Sequence, residues 1–226
     1  MIEDLLNLAS QILLNFKLEQ NTQDLENQLA QLSHTQLEAA LRFDAQKKTF
    51  WINIYNAYYQ ILRQNGYNKP EIYRKRLFKI AGYSYSLDDV EHGILRKYRY
   101  KYSLGFFPNL FSKSRIKKLA VDTIDYRIHF ALNCGAVSCP PIAFYDVDHL
   151  DSQLDLATQS FLESETIYNH DNKIVKVTAL FKWFYGDFGS SQGIREIYKS
   201  QLNIDLKDYK LKYRDYSWED DLRNFV

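Results

Sequence analysis

The chain has 226 residues, a hydrophobic share of 46%, an aromatic share of 15% and a net charge of +1. That length can bury one large core, and the even charge exerts no general pull toward nucleic acid or an anionic membrane. No stretch has the uninterrupted apolar length of a membrane span. The opening MIEDLLNLAS, acidic early and without a basic leader, does not read as a signal peptide, so a reducing cytoplasm is the expected setting.

No Pro/Gly/Ser-rich linker divides the chain. One continuous unit is expected, with 1–45 as a helical segment packed on a domain of 46–226. Over 2–16, Ile2, Leu5, Leu6, Ala9, Ile12, Leu13 and Phe16 fall at helical spacing. They predict an amphipathic helix laid on the body of the protein, with a dimer-forming helix as the alternative. Thr22 and Ser33 read as N-caps of helices over 23–32 and 34–43.

The next helix, about 46–65, is apolar almost all round, with Phe50, Trp51, Ile54, Tyr55, Tyr58, Ile61 and Leu62 covering most of the circumference. Such a helix is buried. Its polar residues Asn53, Asn56 and Gln60 form one narrow stripe, which must face backbone, water or a site because buried amides need partners. Gly66 suits the C-terminal cap, and Pro70 follows. Residues 77–85 suggest a strand pair around Gly82. In SLDDVEHGILR at 86–96, Ser86 with Asp89 three positions later resembles a capping box. Glu91 shares a face with Leu87, Val90 and Ile94, and a carboxylate there must be paired, hydrogen-bonded or protonated. Bracing Arg127 or the amide stripe is one role open to it. His92 lies nearer the flank.

Residues 99–118 look irregular, aromatic and basic at the end; the basic runs at 74–76 and 113–118 read as solvated surface. Over 119–133, Ile128, Phe130 and Leu132 alternate with Arg127, His129 and Asn133, which predicts a central strand. A helix is expected over 148–163, then a hairpin turning near 170–172, then helices near 178–185 and 191–201. Trp183, Phe184, Tyr185 and Phe188 are expected to anchor this part to the core, with lining a ligand groove as the alternative. The tail YKLKYRDYSW alternates like a strand. Helices and strands mix without βα alternation, which favours α+β: a single domain with a small, mostly antiparallel sheet packed by several helices.

Both cysteines of the chain lie in IHFALNCGAVSCPP at 128–141. A thiol closing an apolar run before a tight loop can be a held nucleophile, but cysteine is also a common buried filler. His129, Cys134 and Cys139 recur at intervals of five, and an odd interval on a strand sends side chains to opposite faces, which argues against zinc. A Cys134–Cys139 disulfide is sterically conceivable, and in a reducing compartment reads as a redox event rather than a staple. No phosphate-binding glycine loop and no G-x-S-x-G elbow occurs.

WINIYNA at 51–57, SLDDVEHGILR at 86–96, DYRIHFALNCGAVSCPP at 125–141 and LFKWFYGDF at 180–188 occur in one order that resembles the family catalogued as domain of unknown function five-four-seven. Tyr126 stands where that family often has proline. The resemblance implies an outline similar to papain-like thiol enzymes, with the histidine ahead of the cysteine. Some plant relatives carry serine at the second cysteine position, which points to Cys134 as the family-defining thiol.

The expectation is then a cysteine-dependent hydrolase or acyl-transfer enzyme, peptidase-like in outline. Cys134 is the nucleophile, His92 the base that draws off its proton, and Glu91 or an amide of Asn53 or Asn56 the group that orients the imidazole. Asn53, Asn56, Arg96, His129, Gly135, Ser138 and Cys139 are the candidate substrate-binding residues. Backbone N–H groups around Gly135 would form an oxyanion hole, and Arg96 would bind a carboxylate or brace the loop after Cys134. The substrate would be a small molecule or peptide; no cofactor, metal, nucleic acid or membrane is expected. The alternative is a non-catalytic domain that keeps the family core and binds a protein partner.

Overall fold

Leu5, Leu6, Ala9, Ile12, Leu13 and Phe16 are buried, as their spacing requires. They lay the first helix, α1 (Ile2–Lys17), along α4 (Asp44–Gln64). The structure, a computed structural model, describes residues 2–226; the side chain of Ile2 lies outside the described residues. Between these helices stand α2 (Gln23–Gln31) and α3 (His34–Ala40). Ser33 caps α3 as expected, accepting from the Gln36 amide while the Gln36 side chain accepts from Ser33 N. Thr22 makes no cap bond; its hydroxyl donates to Glu26 instead, at 2.7 Å.

α4 is the central pillar, buried on every side from Thr49 to Leu62. Past it, Pro70 does not simply mark an end. It opens α5 (Lys69–Arg74), where a missing N–H costs nothing, and Asn68 caps that helix. The strand pair around Gly82 forms as β1 (Phe78–Ile80) and β2 (Tyr83–Tyr85), antiparallel. Ser86 and Asp89 make the reciprocal cap, at 3.1 and 3.3 Å, but the helix they start is a π-helix over Asp89–Leu95.

The strand expected over 119–133 does not form. A short helix, α6 (Ser114–Leu119), precedes a 3-10 helix at Tyr126–Phe130. The alternation misleads because nothing sorts the two sides: residues 128–133 are all buried. A local bond decides instead. Asp125 accepts from the Arg127 amide and guanidinium, drawing the backbone into a helical turn.

Helix α7 (Leu150–Glu165) follows, then β3 (Ile167–Asn169) and β4 (Ile174–Val177), α8 (Leu180–Trp183), α9 (Ser190–Leu202) and β5 (Lys210–Tyr213). β3 and β4 pair antiparallel, whereas β5 joins β4 in parallel. The fold is single-domain α+β, with its few strands divided between two small sheets. Among the described residues no helix is long and apolar enough to cross a membrane.

Among the described residues two apolar clusters fill the molecule. The larger gathers α1, α4, the first sheet and the π-helix; the smaller joins Phe130, Phe161, Phe181, Phe188 and Tyr198 of the C-terminal part. Their seam is where the cleft opens.

Candidate functional site

The cleft encloses about 490 Å³. One wall comes from α4 and the π-helix, with Tyr55, Asp88, Glu91 and His92; another is aromatic, with Trp183, Phe184, Tyr216 and Trp218; the two cysteines lie in its lining. A π-turn is wider than an α-turn and recurs at functional sites. Here it brings Glu91 and His92 to the same cleft, with Asp88 just ahead of it.

Glu91 faces inward as its helical position requires. Its Oε2 accepts from the Tyr55 hydroxyl at 3.3 Å, and its Oε1 lies 3.6 Å from His92 Nδ1. Burial pushes its carboxyl up to about 7; Asp88 adds to this and Arg96 opposes it. It does not brace Arg127, which is bound by Asp125, Asp151 and Asp155.

His92 Nδ1 lies 2.7 Å from a terminal nitrogen of Arg96. A guanidinium can only donate, so Nδ1 accepts and the ring hydrogen sits on Nε2, 3.6 Å from Asp88 Oδ1. Burial first, then the Arg96 charge, holds His92 well below the ordinary histidine range, so the ring is neutral.

Arg96 is fully buried. It binds Asp187 at 2.5 Å and stacks over the Phe184 ring at 4.6 Å. It therefore neither reaches into the cleft for a carboxylate nor braces the loop after Cys134; its hydrogen bonds go to Asp187 and His92. Asp187 also accepts from His129 Nε2 at 2.9 Å. Burial would raise the Asp187 carboxyl, but His129 and Arg96 outweigh it and hold it at about 2. His129 lines the cleft, stacked on Phe184 with ring centroids 3.9 Å apart. Burial holds its ring below the usual range despite Asp187. A continuous polar chain thus runs His129–Asp187–Arg96–His92.

Cys134 and Cys139 are joined as a disulfide, with Cα atoms 5.8 Å apart. Cys134 is half-buried and Cys139 buried. The Cys134 amide donates to Cys139 Sγ at 2.9 Å, and the Tyr216 hydroxyl lies 2.9 and 3.0 Å from the two sulfurs. With no strand there, the parity that would separate His129 from Cys134 lapses, and both line the same cleft. Among the described residues no hydrogen bond joins His92 to Cys134; the two share the cleft without touching through one. Nor does any group of three or more His, Cys, Asp or Glu side chains among them form a metal-holding cluster.

Several candidate binding residues have other work. The Gly135 amide is not free for an oxyanion: it donates to Asn133 Oδ1 at 2.8 Å. Gly135 is required because its φ is +60° and a Cβ would run into the Tyr59 ring. The α4 amides face backbone, not the cleft. Asn53 clamps Tyr145, accepting from its N–H at 3.0 Å and donating to its carbonyl at 2.8 Å. Asn56 likewise accepts from Asn133 N at 2.9 Å and donates to Ala131 O at 3.0 Å. Ser138 accepts from Ser217 N at 3.0 Å and stitches down the C-terminal tail.

Tyr216, Asp187 and Tyr55 take part in the site and were missed. Asp187 lies in the GDF of the 180–188 motif, whose spacing assigns it no partner. Tyr216 lay in a tail whose alternation says nothing of a partner 77 and 82 residues away.

An α+β domain with a cystine and a near-neutral buried carboxyl in one cleft is the class that fold and site define. The model of the family described as "Protein of unknown function, DUF547" matches residues 39–162, more than half of the chain. The chain belongs to that family. No curated protein and no solved structure gives a significant match.

Proposed function

We propose that the cleft is the active site of a cysteine-dependent hydrolase or acyl-transfer enzyme, with the disulfide as its closed, inactive form. The observation that carries this is the half-buried Cys134 lining a cleft that also holds Glu91, whose carboxyl is pushed up to about 7. Proton-transfer groups work best when their affinity lies near the operating pH.

A dithiol reductant opens the disulfide, becoming oxidised itself while Cys134 and Cys139 each take up a hydrogen. A reducing cytoplasm would keep this form. The Cys134 thiolate then attacks an acyl carbon, and the leaving group departs with the proton that the thiol gave up. Water, or another acceptor, cleaves the thioester and restores the thiol. Glu91 is suited to hold that proton between steps. For His92 to be the base, Arg96 must release Nδ1; in the arrangement described, the imidazole is instead a donor through Nε2. The Tyr216 hydroxyl is placed to donate to the thiolate. The aromatic wall suits an acyl or aromatic group of a small molecule or peptide.

Alkylation of the reduced, native protein over a range of pH tests this, alongside turnover of an activated acyl ester. Cys134 is expected to react with a midpoint below the roughly 8.5 of a free thiol. An acyl-enzyme burst is expected in the parent and in Cys139→Ser, and none in Cys134→Ser. A Cys134 that reacts like a free thiol, with no acyl-enzyme, would leave a non-catalytic interaction domain.

A further inference from the structure

The even charge of the chain conceals a sharp local imbalance. From residue 92 to 121 there is no aspartate or glutamate, while Lys97, Arg99, Lys101, Lys113, Arg115, Lys117 and Lys118 fall within that stretch. The same segment carries large apolar side chains to the surface. Tyr102 is 67% exposed, Phe107 69%, Leu110 75% and Phe111 95%. Soluble surfaces seldom gather so much apolar area in one place without a use for it.

Backbone bonds hold these side chains out. Arg99 and Pro108 form an antiparallel bridge, Tyr100 N donates to Phe107 O at 2.9 Å, and Asn109 N donates to Tyr98 O at 2.6 Å. Its turn is pinned to the body of the protein by Gly186 N donating to Leu104 O at 2.7 Å. Gly105, with φ of +92°, abuts Asp187 where no Cβ fits. The lip is thus a built hairpin, its turn fastened to the body and its flanking side chains Tyr102, Phe107, Leu110 and Phe111 exposed.

We propose that this lip docks on an anionic membrane surface. Aromatic rings flanked by lysine and arginine are the composition that settles at the boundary of headgroups and acyl chains. The charge is largely available. Lys101 and Lys118 are paired with Asp88 and Glu38, but Lys97, Arg115 and Lys117 donate to the carbonyls of Asp122, Ser84 and Leu110, which leaves their charge uncompensated. A second copy of the chain is disfavoured, because a two-fold contact through this face would set the same basic residues against each other. A bilayer needs only apolar tips and cationic flanks, with no matching shape. Lys101, Tyr102 and Leu104 of the lip also line the cleft, so docking brings the cleft mouth to the lipid surface. The inference is independent of the chemistry inside the cleft.

The test is co-sedimentation of the full chain with vesicles of phosphatidylcholine, alone or mixed with phosphatidylserine. Binding is expected to the mixed vesicles, weakened by salt. Lys113→Glu and Lys117→Glu should each weaken it about fivefold or more. Phe107→Ser combined with Phe111→Ser should weaken it at low and high salt alike. All four positions are exposed, so the variants should keep the parent's thermal midpoint, which is measured alongside. The proposal is overturned by no vesicle binding, equal binding with and without phosphatidylserine, binding indifferent to these substitutions, or a single-stranded oligonucleotide displacing the vesicles. Self-association lost in the double phenylalanine variant would assign the lip to a second copy instead.

Discussion

A buried carboxyl without a full complement of donors keeps its proton to higher pH, and Glu91 is that case. Its folded-state value is raised to about 7, against about 4.3 in an unfolded chain. Between those values the folded state keeps a proton that the unfolded state has lost, so stability falls as pH rises through the window and levels above it. Glu91→Gln keeps an acceptor for Tyr55 and removes the titration. Urea melts should show it matching the parent near about pH 4 and exceeding it by on the order of 3–4 kcal/mol at about pH 8. A parent whose stability does not decline across that range would rule out the raised carboxyl. The inward face of Glu91 was legible in the heptad-like spacing of its neighbours. The lone pair of His92 was not, because the residue that occupies it, Arg96, is four positions away and reads from sequence as a ligand-binding cation.

At the scale of elements, the amide stripe of α4 shows how a correct local inference leaves its outcome open. Burial of Asn53 and Asn56 follows from the apolar circumference of the helix, and each amide does find partners. The partners are the backbones of Tyr145 and of Ala131 and Asn133, so the two side chains act as clamps on the segment that carries both cysteines. Asn53→Ala and Asn56→Ala each strand a buried N–H and a carbonyl, and each should cost about 2–4 kcal/mol in denaturant melts. Substrate contacts would instead leave stability near the parent's and raise KM. The misread strand over 119–133 has a related cause. Period-two alternation reports burial on one side, and where both sides are buried it reports nothing, so the Asp125–Arg127 contact decides the backbone.

For the molecule as a whole, the disulfide is a small part of the stability. It closes a loop of sequence separation 5, for which chain entropy alone contributes about 2 kcal/mol. Two separate apolar clusters carry the fold. Reduction should therefore lower the denaturation midpoint modestly and leave the circular dichroism of the native state intact. Loss of structure on reduction would exclude the free thiol from any role in the native cleft.

The sequence by itself determined most helices, the complete burial of α4, the inward turn of Glu91 and the family, because spacing along one element records which of its sides meets the core. Only the tertiary structure decided that Cys134 meets Cys139 and Tyr216, that His129 and His92 are linked through Asp187 and Arg96, and that a near-neutral carboxyl shares their cleft. Those pairings depend on where distant segments cross once the two clusters close on each other. A hydrogen bond or a disulfide leaves no period in the chain, so its partner is set by the backbone path and not by the pattern of residues around it.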